Sequence, residues 1–310
     1  MISIDRRRSA IVAIFLVITF CILSWTRSSA FRSAPPLDPN YGKLSAIDQD
    51  SKFAILLHDN DTKRRNSSIP FIVLVSARVD QEKRARLEKD GAQVVEVEDV
   101  PTAWWVRTYV TRWADQFTKL RVLEWTQYDR ILFVDADTLL TRPLDGIFQE
   151  PEAHQPVDTL HTPSRKPKAD EAQLPAQYLF GARSDNAFTG ERAHPFPPLQ
   201  TPNFSAGFWL VAPSKELYAY LMSVMQHYHR FDPETMEQSL LNYAFRREGP
   251  MPWRELDYKW SATWPNQKDV QGEVKSLHEK FWTAGPKELR QMWKVKHNEM
   301  ETWWRRWDKK

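Results

Sequence analysis

The chain has 310 residues, 42% hydrophobic and 27% charged, with a formal net charge of +3 at pH 7. That is enough apolar material for the core of one large domain, and the charge is too small to imply a nucleic-acid partner. The lone Cys21 rules out an intrachain disulfide but does not exclude the secretory pathway.

Arg6-Arg7-Arg8 close a short tail (1–8) ahead of an uncharged run rich in Ile, Val, Leu and Phe over 9–26. This run is at the lower limit for spanning a bilayer. One reading is a cleaved signal peptide, with Ser28-Ser29-Ala30 as the cleavage site. The length of the run favours the other, an uncleaved transmembrane signal anchor with a cytosolic tail and a luminal C-terminus, as in a single-pass type II Golgi membrane protein. Residues 27–50, with Pro35-Pro36 and Pro39, read as a stem. Sequons at Asn60, Asn66 and Asn203 agree with a luminal location.

Residues 53–57 and 71–75 read as buried strands, 80–89 as a helix ended by Gly91, and 94–97 as the next strand. Residues 106–125 read as a helix, with Val106, Val110, Trp113, Phe117 and Leu120 on one face. Strands alternating with helices predict an α/β, Rossmann-like fold, a mostly parallel sheet flanked by helices. The connection over 58–70, HDNDTKRRNSSIP, has no apolar stripe and barely reaches the ~10–12 residues a parallel crossover needs. Poor cover over the N-terminal strands is therefore expected, from a truncated gene model or in a weakened enzyme.

Residues 131–134 form an apolar run that reads as a strand, and Asp135-Ala136-Asp137 follow at once. Two carboxylates at the end of a buried strand are costly without a cation. A hard divalent ion on oxygen ligands, Mn²⁺ or Mg²⁺, is the simplest one. In an open α/β sheet this is the end where ligands bind. The arrangement resembles the D-x-D of sugar-nucleotide transferases. Residues 154–200, rich in Pro and charge, read as a loop insertion, either a mobile surface segment or part of an acceptor site. Strand 203–211 and helix 214–225 follow. Asp232-Pro233 then open a helix with Met236, Leu240 and Tyr243 as its apolar stripe. Residues 287–310 read as a Trp-rich helix packed on its own domain.

Thr118-Lys119-Leu120, Thr126-Gln127-Tyr128, Asp135-Ala136-Asp137-Thr138-Leu139 and Leu144-Asp145-Gly146-Ile147-Phe148 together resemble glycosyltransferase family 8, the glycogenin-like family. The likeness is nearest to a fungal branch that includes N-acetylglucosaminyltransferases. It covers most of 51–285, with the C-terminal helix beyond it. The resemblance implies a Mn²⁺-dependent (or Mg²⁺-dependent) retaining enzyme that moves a sugar from a UDP-sugar to a glycan or glycoprotein acceptor. It implies His278 as third metal ligand beside Asp135 and Asp137, and Lys119 and Lys280 at the diphosphate. Asp135, Ala136, Asp137, Ser205 and Gly207 would line the donor site, with Ser205 standing where the family has Asn. Glu237 and Gln238 would be the catalytic pair, although this chain has two extra residues there and Glu in place of Asp. Trp260 stands where glycogenin carries its sugar-accepting tyrosine, which argues against self-priming. A transferase fold kept as a weak or inactive scaffold is the rival reading.

Overall fold

The computed structural model describes residues 69–107 and 116–307. The chain divides into two units, Met1–Leu44 and Ser45–Lys310, and every described residue lies in the second. The expected tail, anchor and stem, the strand at 53–57, the 58–70 connection as far as residue 68, and the sequons at Asn60 and Asn66 lie outside the described residues. Among the described residues no helix is long and apolar enough to cross a membrane.

β1 (Ile72–Val75) and β2 (Gln93–Glu96) pair in parallel around α1 (Gln81–Lys89). Asp80 caps α1 by accepting from the Lys83 N–H. Gly91, at φ 96°, takes the left-handed turn that ends it. The helix expected over 106–125 differs from the reading. Val106 and Arg107 are non-helical, residues 108–115 lie outside the described ones, and Gln116–Glu124 is a 3₁₀ helix. Phe117, Leu120 and Leu123, at i, i+3 spacing, make its buried edge.

The central sheet runs β3 (Ile131–Val134), β8 (Phe204–Val211), β7 (Phe180–Ser184), β9 (Arg254–Glu255). β3 and β7 are both antiparallel to β8, and only β9 runs parallel to its neighbour β7. A smaller sheet orders β10 (Ala262–Thr263), β11 (Ser276–His278) and β4 (Thr138–Leu140), with β11 antiparallel to β4. The expectation of a mostly parallel sheet is thus corrected: the sheets are mixed. β7 and β8 are joined without a crossover helix, so the chain returns antiparallel. The 154–200 insertion, too, is largely built into the fold. It holds β5 (Val157–Asp158), β6 (Gln177–Tyr178) and all of β7, with Tyr178, Leu179 and Phe180 buried.

One face of the central sheet packs on the 3₁₀ helix, α3 (Lys215–Gln226) and α4 (Glu237–Ala244). The other packs on Leu144, Ile147, Leu256 and Trp260. Trp260 is core, its indole N–H donating to Glu150 Oε1 at 3.0 Å. Two shorter helices, α2 (Pro151–His154) and α5 (Gln267–Gln271), complete the body. α6 (Lys287–Trp307) lays Leu289 and Trp293 against Phe281 and Leu277. Between β1 and β3 lies an apolar cavity of about 130 Å³, lined by Phe71, Leu74, Leu132 and Phe148 among others.

Phe180 stacks on Phe245 with centroids 3.9 Å apart and is wholly buried between the sheet and its helices. Phe180→Ala is expected to lower unfolding stability by roughly 3–5 kcal/mol, from lost burial and the cavity left behind. Urea unfolding of the two proteins checks this, and a loss under about 1 kcal/mol would contradict the packing described.

Candidate active site and metal centre

The site is built by strand register. β3 ends at Val134, opposite Phe208, so Asp135 falls beside Gly207 and its N–H donates to the Gly207 carbonyl at 2.8 Å. β11 sets His278 opposite Thr138 of β4, just past Asp137. The Glu279 N–H donates to the Asp137 carbonyl at 3.1 Å. Three segments far apart in sequence thus meet at the end of β3.

β8 bulges at this point. Ala182 pairs with Trp209 and Ser184 with Phe204, leaving 205–208 without regular partners on β7. The bulge turns Phe204 and Ala206 to the same face as Trp209 and Val211. Side chains of α4 satisfy the backbone groups freed this way. Gln238 Oε1 accepts from the Ala206 N–H at 3.0 Å. Asn242, one helical turn on, accepts from the Phe204 N–H at 3.0 Å and donates to its carbonyl at 2.9 Å. Gly207 is required here. A Cβ at this position would lie 2.3 Å from His278 Cε1 and 2.6 Å from its Nδ1.

His278 Nε2 lies 2.8 Å from Asp137 Oδ1 and 3.9 Å from Asp135 Oδ2. Ligand atoms of the three residues all fall within 4.8 Å of one another. Lys280 pairs with the other Asp137 oxygen. Burial works against a charged Asp137 and a charged His278, but their mutual attraction outweighs it. The Asp137 carboxyl is held well below the usual carboxylate range by His278 and then Lys280. The His278 imidazole is raised above its ordinary value by Asp137 and then Asp135. Two carboxylates and an imidazole fit a divalent cation such as Mn²⁺. His278 Nδ1 is buried without a hydrogen-bond partner, and the missing Cβ of Gly207 supplies the room the ring needs.

Behind Asp135 sits a buried ion triad. Lys119 Nζ lies 2.9 Å from Asp135 Oδ1, 2.9 Å from Glu237 Oε1 and 3.4 Å from the Ala206 carbonyl. Its side chain is 1% exposed. Burial alone would lower the ammonium pKa; the two carboxylates outweigh it and raise it. Burial pushes the Glu237 carboxyl up, against the pull of Lys119. The Gln116 amide nitrogen, oriented to suit its partner, donates to Glu237 Oε2 at 2.9 Å.

A cavity of about 200 Å³ gathers Asp135, Asp137, Gly207, Glu237, Gln238, His278 and Lys280, all expected from the sequence. Lys119, Ala136 and Ser205 do not line it. Ala136 packs against the apolar cluster that holds Val73 and Val75, and the Ser205 hydroxyl turns inward to accept from the Gly207 N–H at 3.2 Å. With Lys119 bonded as it is, a direct contact to a diphosphate requires it to leave one partner. Gln116 and Thr235 also line the cavity and had no signal in the motifs. Asp185, likewise unforeseen, is buried behind Gln238, whose Nε2 donates to its Oδ2 at 3.4 Å.

Metal binding needs a neutral imidazole, so protons compete with the ion at His278. Affinity for Mn²⁺ is expected to climb as pH rises from about 6 to 8, because the His278 pKa lies above the unperturbed value of about 6.5. The raised pKa also stabilises the metal-free fold below about 6.5, and that contribution is lost as pH rises through the folded-state value. Calorimetric titrations with Mn²⁺ across this range check it; a flat profile would contradict the pairing of His278 with Asp137.

No family model matches the chain. An uncharacterized Schizosaccharomyces pombe protein is 32% identical over 249 residues, which cover 72% of this chain and 66% of that protein. The chain therefore spans just under two thirds of that relative's length. Galactinol synthase 1 of Arabidopsis thaliana is 26% identical over 269 residues, covering 78% of this chain and 71% of that protein. The solved glycosyltransferase GlyE of Streptococcus pneumoniae aligns with a TM-score of 0.48 at 14% identity, covering 84% of this chain and 61% of GlyE. The chain is thus similar over about three quarters of its length to a galactinol synthase, at low identity.

Proposed function

We propose that the chain is a divalent-metal-dependent retaining glycosyltransferase, with Mn²⁺ ahead of Mg²⁺. It moves a sugar from a UDP-sugar to a hydroxyl of a glycan or glycoprotein acceptor in the secretory pathway. N-acetylglucosamine is the first donor sugar on the motif resemblance to the fungal branch; glucose and galactose come next. The observation that carries the reading is the Asp135-Asp137-His278 group at the end of β3, opened by Gly207.

Asp135, Asp137 and His278 would hold the ion. When bound, it supplies Lewis-acid stabilisation of the negative charge on the departing UDP. Lys280, next to Asp137, is placed to share that charge with the diphosphate. In the transfer, the bond between the anomeric carbon and the β-phosphate oxygen would break, a bond to the acceptor oxygen would form, and the acceptor hydroxyl would give its proton to the departing β-phosphate oxygen. Glu237 and Gln238 line the same cavity as Asp135, Asp137 and His278 and would face the donor sugar. The family resemblance carries the expectation of retained α configuration.

A second reading, a transferase fold kept for binding, draws on the inward turn of Ser205 and on the Glu237 carboxylate, which is gripped at both oxygens. A UDP-release assay separates the two, run on the full chain with a panel of UDP-sugars and Mn²⁺. Donor-dependent UDP release that EDTA abolishes supports the transferase. Tight Mn²⁺ and UDP binding with no release for any donor or acceptor supports the scaffold.

The compartment has its own test, motivated by Arg6-Arg7-Arg8 ahead of 9–26. In sealed microsomes the C-terminus is expected to be protected from protease, and the protein is expected to stay in the membrane after carbonate wash. Recovery in the carbonate supernatant would remove the anchor.

A further inference from the structure

α4 begins under unusual conditions. Its N-cap, Met236, has φ 51° and ψ −121°, a conformation that L side chains rarely adopt, and it offers no side-chain cap. The preceding Pro233–Thr235 turn is a separate 3₁₀ segment, so the helix expected to open at Asp232-Pro233 starts afresh at Glu237. A helix start that is strained and uncapped must be held by something else.

What holds it is visible at Glu237. This first-turn residue does not point to solvent, as an N-terminal Glu favouring the helix dipole would; its side chain is 3% exposed. Lys119 approaches Oε1 at 2.9 Å, and the Gln116 amide nitrogen approaches Oε2 at 2.9 Å and Oε1 at 3.3 Å. Gln116 and Lys119 are three residues apart in the Gln116–Glu124 3₁₀ helix. At three residues per turn, side chains at i and i+3 eclipse, so both donors project to one place. In the α-helix expected from the sequence they would diverge by about 60°.

We propose that Gln116 is a positioning residue. With Lys119 it clamps both oxygens of Glu237, and the clamp fixes the first turn of α4 against the candidate donor cavity. The clamp sets where the Glu237–Gln238 wall stands relative to Asp135 and Asp137. Gln116 touches none of the metal ligands within hydrogen-bond distance, so it governs the wall and not the ion. The catalytic part of this inference rests on the proposed transferase function; the clamp itself does not.

The test uses the full chain with Gln116→Met, which keeps length and removes the amide donor. The first readout is independent of activity: amide hydrogen exchange in α4 from Leu240 on, where the Leu240 N–H donates to the Met236 carbonyl at 3.3 Å. It is expected to speed up by roughly tenfold, the effect of losing one hydrogen bond to a charged group. Affinity for Mn²⁺ alone is expected to stay within about twofold, since Asp135, Asp137 and His278 are untouched. In sugar transfer, kcat is expected to fall roughly tenfold with KM for the donor nearly unchanged. Unchanged exchange in α4, or a rise in KM alone, would overturn the proposal. A second variant guards against simple damage: Gln116→Glu places two carboxylates together, and pairing it with Glu237→Gln restores one donor and one acceptor. The pair is expected to regain the exchange protection that Gln116→Glu alone loses; no regain would also overturn the clamp. If the unmodified chain transfers no sugar, the transferase reading falls, and the two exchange measurements still decide the clamp.

Discussion

Asp137→Ala is expected to weaken Mn²⁺ binding by at least about a hundredfold and to abolish Mn²⁺-dependent UDP binding. Asp137 is the common partner in the centre, bonded through one oxygen to His278 and through the other to Lys280. Removing it deletes an anionic ligand and also leaves two cationic groups facing the place where the ion must sit. His278 loses the partner that raised its pKa most, so its ring becomes easier to deprotonate. That relief is small beside the lost carboxylate. Because Asp137 is only partly buried, the fold is expected to survive. Calorimetric titration with Mn²⁺, with and without UDP, is the measurement, and circular dichroism verifies the fold. Undiminished Mn²⁺-dependent UDP affinity in this variant would refute the site.

Gly207→Ala is expected to damage the same centre without touching a ligand. The added methyl would lie 2.3 Å from His278 Cε1, 2.6 Å from Nδ1 and 3.0 Å from Asp135 Oδ2. Contacts this short cannot persist, and β8 is held here by the Asp135 N–H on the Gly207 carbonyl and by Gln238 on the Ala206 N–H, so the imidazole must move. A displaced ring loses Asp137, and Mn²⁺ affinity is expected to fall by roughly tenfold to a hundredfold. Gly146→Ala is the control, since a Cβ there meets Trp260 at an ordinary 3.4 Å. Equal Mn²⁺ affinity in the Gly207 and Gly146 variants would show that His278 does not depend on the opening at Gly207.

These two variants divide what was legible in the sequence from what was not. The apolar run 131–134 followed by Asp135 and Asp137 was legible, because a buried strand ending in two carboxylates needs a cation whatever surrounds it. The helices at 81–89 and 215–226 were legible too, since Asp80 and Ser214 supply their caps locally. His278, Gly207, Glu237 and Gln238 could be named only through family resemblance, because no local rule connects residues so far apart in the chain.

The sequence by itself determined an α/β chain with a carboxylate pair at a strand end, because both follow from short-range hydrophobic pattern and desolvation cost. The tertiary structure alone decided the rest. Strand register brought His278 beside Asp137, and the bulge in β8 placed Gly207 where the imidazole needs space. Sheet direction was decided the same way, since β7 and β8 return antiparallel through a connection with no helical periodicity to signal a crossover. The last case is the 3₁₀ winding of Gln116–Glu124. Its apolar positions fit an α-helix as well as a 3₁₀ helix, and local propensity separates the two weakly. The eclipsed winding is the one that seats Phe117, Leu120 and Leu123 in the core while turning Gln116 and Lys119 together onto Glu237. Those partners lie more than a hundred residues further along the chain, which is why no window of sequence reveals the choice.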